Sequence, residues 1–143
     1  RLENQKNYLN LIKNFQGSEY QLDIVGTGSL ENEIIALAKE LSVKINLLGS
    51  FSNEQLINVY QQYKYFILAS HYEGNPKVVL EAMSNGCIVL LSDIENHTEL
   101  VNDNENGYII KLNDSYKRKI DEISQDFDTL RKVSEKAFEI SQG

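Results

Sequence analysis

Apolar residues recur along this chain in two rhythms. Tyr8, Leu11, Ile12 and Phe15 fall at i, i+3, i+4 and i+7, which predicts an amphipathic helix over residues 6–15. Residues 20–25 (YQLDIV) alternate apolar and polar, as a strand does. Leu30, Ile34, Leu37 and Leu41 form a second helical stripe, with Ser29 as its expected N-cap. A short strand is predicted over 45–48. Ser52 and Gln55 then have capping-box spacing and open a helix to about residue 61. Residues 65–69 (YFILA) are continuously apolar, as a buried parallel strand is. Pro76 suits the first position of a helix running to Met83, closed by Asn85-Gly86. A buried strand over 88–91, a short helix over 96–101, a strand over 108–110 and two C-terminal helices complete the pattern.

Strands alternating with helices at this spacing predict right-handed βαβ units. The expected fold is α/β, a Rossmann-like open parallel sheet with helices on both faces. Ligands of such sheets bind at the carboxyl ends of the strands, so chemistry is sought in the loops 26–29, 49–52, 70–75 and 92–96. The length of 143 residues suits one domain over 1–143. The net charge of −7 argues against nucleic acid, whose non-specific binding rests on Lys and Arg neutralising phosphates. It leaves room for a small phosphate ligand at a helix N-terminus. No apolar run is long enough to span a bilayer, and the first ten residues lack the apolar core of a signal peptide. The single cysteine, Cys87, has no internal disulfide partner and is expected to pack as a small hydrophobe in a buried strand. Arg1 stands where an initiator Met is absent, which leads to the expectation of a longer parent protein.

The loop Gly26-Thr27-Gly28-Ser29 has two readings. Its glycines let a ligand approach the backbone, or they make a tight strand-to-helix turn; the third glycine of a dinucleotide fingerprint is Glu31 here. The stretch Glu73-Gly74-Asn75-Pro76-Lys77-Val78-Val79-Leu80-Glu81 also has two. The amides of Lys77 and Val78 fall in the first turn of a helix, where an N-terminal charge of about +0.5 favours a diphosphate. Glu73 and Glu81 repel a diphosphate but suit the hydroxyls of sugars attached to it; otherwise they are two surface acids. His71 reads as a ligand neighbour or a solvated loop residue, and His97 as a surface residue. Asp103, Asp114 and Asp126 read as turns and caps. No His/Cys/Asp grouping has metal-ligand spacing.

The run SHYEGNPKVVLEAMSNGCIVLLSDI closely resembles the donor-site signature of the group 1 glycosyltransferases, a large retaining family with the GT-B fold. The shared pattern is a Glu, seven residues and a second Glu inside a phrase like EGxPxxxLEAMAxGxPVV. Arg1-Leu2 with Gln5-Lys6-Asn7, residues 22–30, Leu48-Gly49-Ser50-Phe51, Glu99-Leu100-Val101 and Asn106-Gly107 resemble the family's other segments in order. Asn7 stands for the usual Gly, Cys87-Ile88 for Thr/Val-Pro, and residues 92–96 lack the usual Gly-Gly.

The resemblance implies one half of a GT-B fold: a C-terminal nucleotide-sugar-binding domain whose N-terminal acceptor domain is absent. It implies retaining, metal-independent transfer of a sugar from a nucleoside diphosphate, UDP favoured, to a hydroxyl, with no cofactor. In these roles Glu81 accepts from the ribose, Glu73 contacts the donor sugar, and Arg1 and Lys6 face the diphosphate. Gly26, Gly28, Gly74, Asn75, Pro76, Lys77 and Val78 line the donor, with Ser50 and Phe51 near the base. The partners implied are the nucleotide-sugar donor and a saccharide or lipid-linked acceptor held by the other half. The setting implied is surface-polysaccharide assembly in the cytoplasm or at the inner face of the membrane. Two other classes fit the same fold: a nucleotide-sugar epimerase and a non-catalytic nucleotide-binding module.

Overall fold

The computed structural model describes residues 7–71 and 77–142. Helices and parallel strands alternate as the rhythms predict. They run α1 (Tyr8–Asn14), β1 (Gln21–Val25), α2 (Glu31–Leu41), β2 (Lys44–Gly49), α3 (Asn53–Tyr60), β3 (Tyr65–Leu68), α4 (Lys77–Ser84), β4 (Ile88–Ser92), α5 (Glu95–Thr98), β5 (Tyr108–Ile110), α6 (Tyr116–Ile123) and α7 (Phe127–Gln142).

Local chemistry accounts for several boundaries. Ser52 Oγ accepts from the amide of Gln55 at 3.2 Å and the Gln55 side chain accepts from the Ser52 amide at 2.9 Å, so the capping box of α3 is complete. Asp126 accepts from the Thr129 amide at 3.0 Å at the start of α7. Gly86, at φ +90°, closes α4 in the left-handed conformation expected of Asn85-Gly86. One expected cap is wrong. The N-cap of α2 is Leu30, not Ser29. Leu30 is buried in the core, and the chain enters the helix by backbone bonds, Glu31 N–H to Gly28 O and Ile34 N–H to Leu30 O. Burying a leucine outweighs a capping hydroxyl here.

The strands divide into two hydrogen-bonded sheets, β1-β2 and β3-β4-β5, rather than one. Every pairing is parallel, with Ile24 beside Leu47, Ile67 beside Leu90, and Leu90 beside Tyr108. Alternation decides what each face buries. Leu22, Ile24, Ile45, Leu47, Tyr65, Ile67, Ile88, Leu90, Tyr108 and Ile110 face one core, closed by apolar residues of α1, α2, α6 and α7. Phe66, Leu68, Val89, Leu91 and Ile109 face a second core with α3 and α4. Helices therefore cover both faces, as the fold class requires. β4 is buried along residues 88–91, whereas β3 is only half-buried despite its continuous apolar run. Among the described residues no helix is long and apolar enough to cross a membrane.

Candidate functional site

Parallel strands put all their following loops at one end of each sheet. Two hydrogen bonds tie these loops in pairs. The Gly26 amide donates to the Gly49 carbonyl at 2.8 Å, joining the loop after β1 to the loop after β2. Both residues need to be glycine for that crossing, since φ is +128° at Gly26 and +79° at Gly49. Ser50 and Phe51 follow directly, Ser50 exposed and Phe51 half-buried. In the other sheet Ser92 Oγ donates to the Ser70 carbonyl at 2.7 Å, joining the loops after β4 and β3.

His97 completes this second tie, and its burial corrects the expectation of a surface residue. It is 0% exposed, with Nδ1 2.9 Å from the Ser92 carbonyl. A carbonyl only accepts, so Nδ1 carries the proton. The sequence held a signal for this burial: Ile94, His97 and Val101 lie at i, i+3 and i+7 on one face of a helical turn, and Val101 is buried. Ser70 is buried too, so the chain leaving β3 starts from a fixed point. His71, next along, is exposed.

Helix α4 buries Val79, Ala82 and Met83 and half-buries Val78. Glu81 lies on its margin with 24% of its side chain exposed, its carboxylate 3.8 Å from the more exposed ammonium of Lys77, one turn earlier. Tyr60 of α3 is close enough to feel that carboxylate. Burial, then the charge of Glu81, push its phenol up to about 12. Tyr60 is a neighbour that sequence reasoning did not single out. Cys87 is buried as expected, and burial pushes its thiol up to about 11. Arg1, Lys6, Glu73, Gly74, Asn75 and Pro76, expected to face the donor, lie outside the described residues. Gly26, Gly28, Ser50 and Phe51 occupy strand-end loops, and Lys77, Val78 and Glu81 lie on α4.

Known proteins share this fold. The catalytic domain of cholesterol-alpha-glucosyltransferase from Helicobacter pylori superposes with a TM-score of 0.87 at 22% identity, over 99% of this chain and 92% of that one. Anabaena HepE in complex with UDP-glucose gives 0.87 at 20% identity, over 99% of this chain and 42% of that one. In sequence, the N-acetylgalactosamine-N,N'-diacetylbacillosaminyl-diphospho-undecaprenol 4-alpha-N-acetylgalactosaminyltransferase of Campylobacter jejuni is 32% identical over 117 residues, or 78% of this chain. The chain spans 32% of that relative's length. The family model described as Glycosyl transferases group 1 matches residues 1–140, and with the strand-end loops and the Glu81 helix in their expected order, the chain belongs to the group 1 glycosyltransferases.

Proposed function

We propose that this chain is the donor-binding half of a retaining glycosyltransferase, taking a sugar from a nucleoside diphosphate to a hydroxyl. The observation that carries the reading is Glu81. Holding a carboxylate largely out of water costs free energy unless it gains strong hydrogen bonds. Among the described residues the ammonium near it is that of Lys77, at 3.8 Å the outer limit of an ion pair. The paired hydroxyls of a ribose are donors that would suit a carboxylate placed on this helix margin.

The rest of the reading follows the resemblance. Glu73 orients the donor sugar. Arg1, Lys6 and the first-turn amides of α4 meet the diphosphate, which gains charge as the sugar leaves; donors aimed at such charge are worth about 2.7–4 kcal/mol each. Ser50 and Phe51 lie near the base. UDP is the favoured nucleotide, and HepE, a protein of the same fold, holds UDP-glucose. No metal is required in this scheme. The acceptor is a saccharide or a lipid-linked saccharide bound by an N-terminal half; the Campylobacter relative is named for a diphospho-undecaprenol acceptor. The protein then works in the cytoplasm or at the inner face of the membrane, in surface-polysaccharide assembly.

Calorimetry of this chain with UDP, GDP and ADP tests the reading. At least one is expected to bind weakly in the presence of a chelator, with no sugar transfer by the isolated chain. No binding at millimolar concentration, or binding only with a divalent ion, overturns it.

A further inference from the structure

Strands β2 and β5 each end a sheet, and their free edges are treated differently. On β5 the Ile109 amide donates to Asp103 Oδ1 at 2.9 Å. A side chain thus occupies a main-chain donor that a neighbouring strand needs. On β2 the residues 45–48 (INLL) carry neither charge nor proline, two common guards of an open edge. Among the described strands β2 pairs with β1 alone. An open groove runs between β2 and α2, lined by Glu31, Ile35 and Lys39 of the helix and by Ile45, Asn46 and Leu47 of the strand. Ile35, at its centre on the helix side, is 46% exposed.

We infer that this groove and edge are the contact surface for a second copy of the chain, related by a two-fold axis, with β2 against β2 in antiparallel pairing and α2 against α2. The charges in the groove choose that arrangement. Glu31, Ile35 and Lys39 stand at i, i+4 and i+8, so each lies about 40° further round the helix than the last. They form one stripe of acid, apolar residue and base. Glu33 and Glu40 fall on the far side, about 180–200° from Glu31. A two-fold axis beside Ile35 sets two such stripes antiparallel. Each Glu31 then meets a Lys39, and the two Ile35 side chains meet each other. A parallel arrangement brings like charges together instead.

The strand obeys the same axis. In the unit β1-α2-β2 the helix runs back against the parallel strands. Glu31 therefore lies toward the carboxyl end of β2 and Lys39 toward its start. Antiparallel pairing centred on Ile45 opposes residue 43 with 47 and 44 with 46, the span that lines the groove. It stops short of Leu48, where the ladder to β1 slips by a residue. Each copy carries a net charge of −7, so two copies repel unless a local complement offsets it. The stripe supplies one because it is self-complementary, as an isologous contact requires. One strand edge and one helix stripe make a small interface, below about 1,200 Å² in total, so the association is weak, with a Kd of about micromolar or above. Helix α4, which carries Glu81, packs in the other core, so this inference stands apart from the donor reading.

Sedimentation velocity of this chain in low salt, from about 2 to about 400 μM, tests the inference. The parent chain should pass from monomer to dimer. Glu31→Lys and Lys39→Glu should each weaken dimerisation about tenfold or more, since one stripe becomes all basic and the other all acidic. An equimolar mixture of the two variants should dimerise again, base to acid. The double variant should dimerise as well, because its stripe is reversed but still self-complementary. Hydrogen exchange in the parent chain should slow with concentration at residues 43–47 and not at 108–110. A chain that stays monomeric overturns the inference and leaves the groove to a different partner. A dimer indifferent to both charge reversals, a mixture that stays monomeric, or exchange at 43–47 that ignores concentration overturns it too. So do assemblies larger than a dimer, which mean head-to-tail contacts.

Discussion

Glu73 and Glu81 are separated by seven residues in the sequence, and the proposed roles separate them. Glu81→Ala removes a charged acceptor from the ribose and should weaken UDP itself by roughly ten- to a hundredfold, since bonds to charged groups are worth about 1.5–3 kcal/mol. Glu73→Ala should leave UDP almost untouched and matter with the sugar attached. Titrating both variants with UDP and with UDP-sugar reads the difference; equal losses on UDP alone refute the division. Two other single residues bear on stability. Cys87 and Tyr60 are held protonated by burial, Cys87 to about 11 and Tyr60 to about 12, against ordinary values of 9.0 and 10.0. Both folded values are raised, so their contribution is complete below pH 9 and is lost as pH climbs toward 11 and 12. Each group steepens the fall by at most about 1.4 kcal/mol per pH unit. Urea unfolding at pH 8, 9.5 and 10.5 should show the decline, and Cys87→Ala should flatten its first part. A stability flat from pH 8 to 10.5 contradicts this.

Elements were legible in the sequence where a local rule decided them. The capping box at Ser52, the glycine stop at Gly86 and the three residues of β5 needed no tertiary information. Ser29 misled because Leu30, next to it, had a core to enter. His97 misled because its stripe with Ile94 and Val101 is short, and the tie from Ser92 on to Ser70 forms only once β3 and β4 pair. Gly107 shows a requirement of the same non-local kind, at the mouth of β5. A Cβ there would lie 2.7 Å from Val89 Cγ2 and 2.9 Å from Val101 Cγ1. Replacing glycine by alanine ordinarily stabilises by about 0.4–1 kcal/mol where the backbone allows it. Here both contacts come from buried valines of β4 and the α5 exit, which have little room to yield. Gly107→Ala should therefore cost about 1–3 kcal/mol, seen as a lower urea midpoint with unchanged slope. A midpoint at or above that of the parent would show that the valines repack freely.

At the scale of the whole molecule, sequence periodicity gave strands and helices but not strand order, because the neighbour of a parallel strand is chosen across a crossover and not along the chain. The donor-site phrase was legible for the opposite reason: its residues are consecutive. Electrostatics joins these levels. The net charge of −7 repels a diphosphate at long range, so a binding site needs local cations to offset it. Lys6 and Arg1 are the cations that the resemblance assigns, and Lys6 is nearer the well-patterned helix α1. Salt separates the local attraction from the global repulsion. Screening weakens both, and the sign of the net effect tells which dominates. In the parent chain, raising salt from about 50 to about 500 mM should lower UDP affinity, because the near cations govern. In Lys6→Ala the affinity should already be lower at low salt, and should then stay level or rise slightly as the repulsion is screened. Uridine, without phosphate, should bind both proteins alike. The measurement is a titration of two proteins at two salt concentrations with each ligand. If Lys6→Ala binds UDP as tightly and as salt-sensitively as the parent, Lys6 is a solvated lysine, and the diphosphate rests on the first turn of α4 or on cations from the other half.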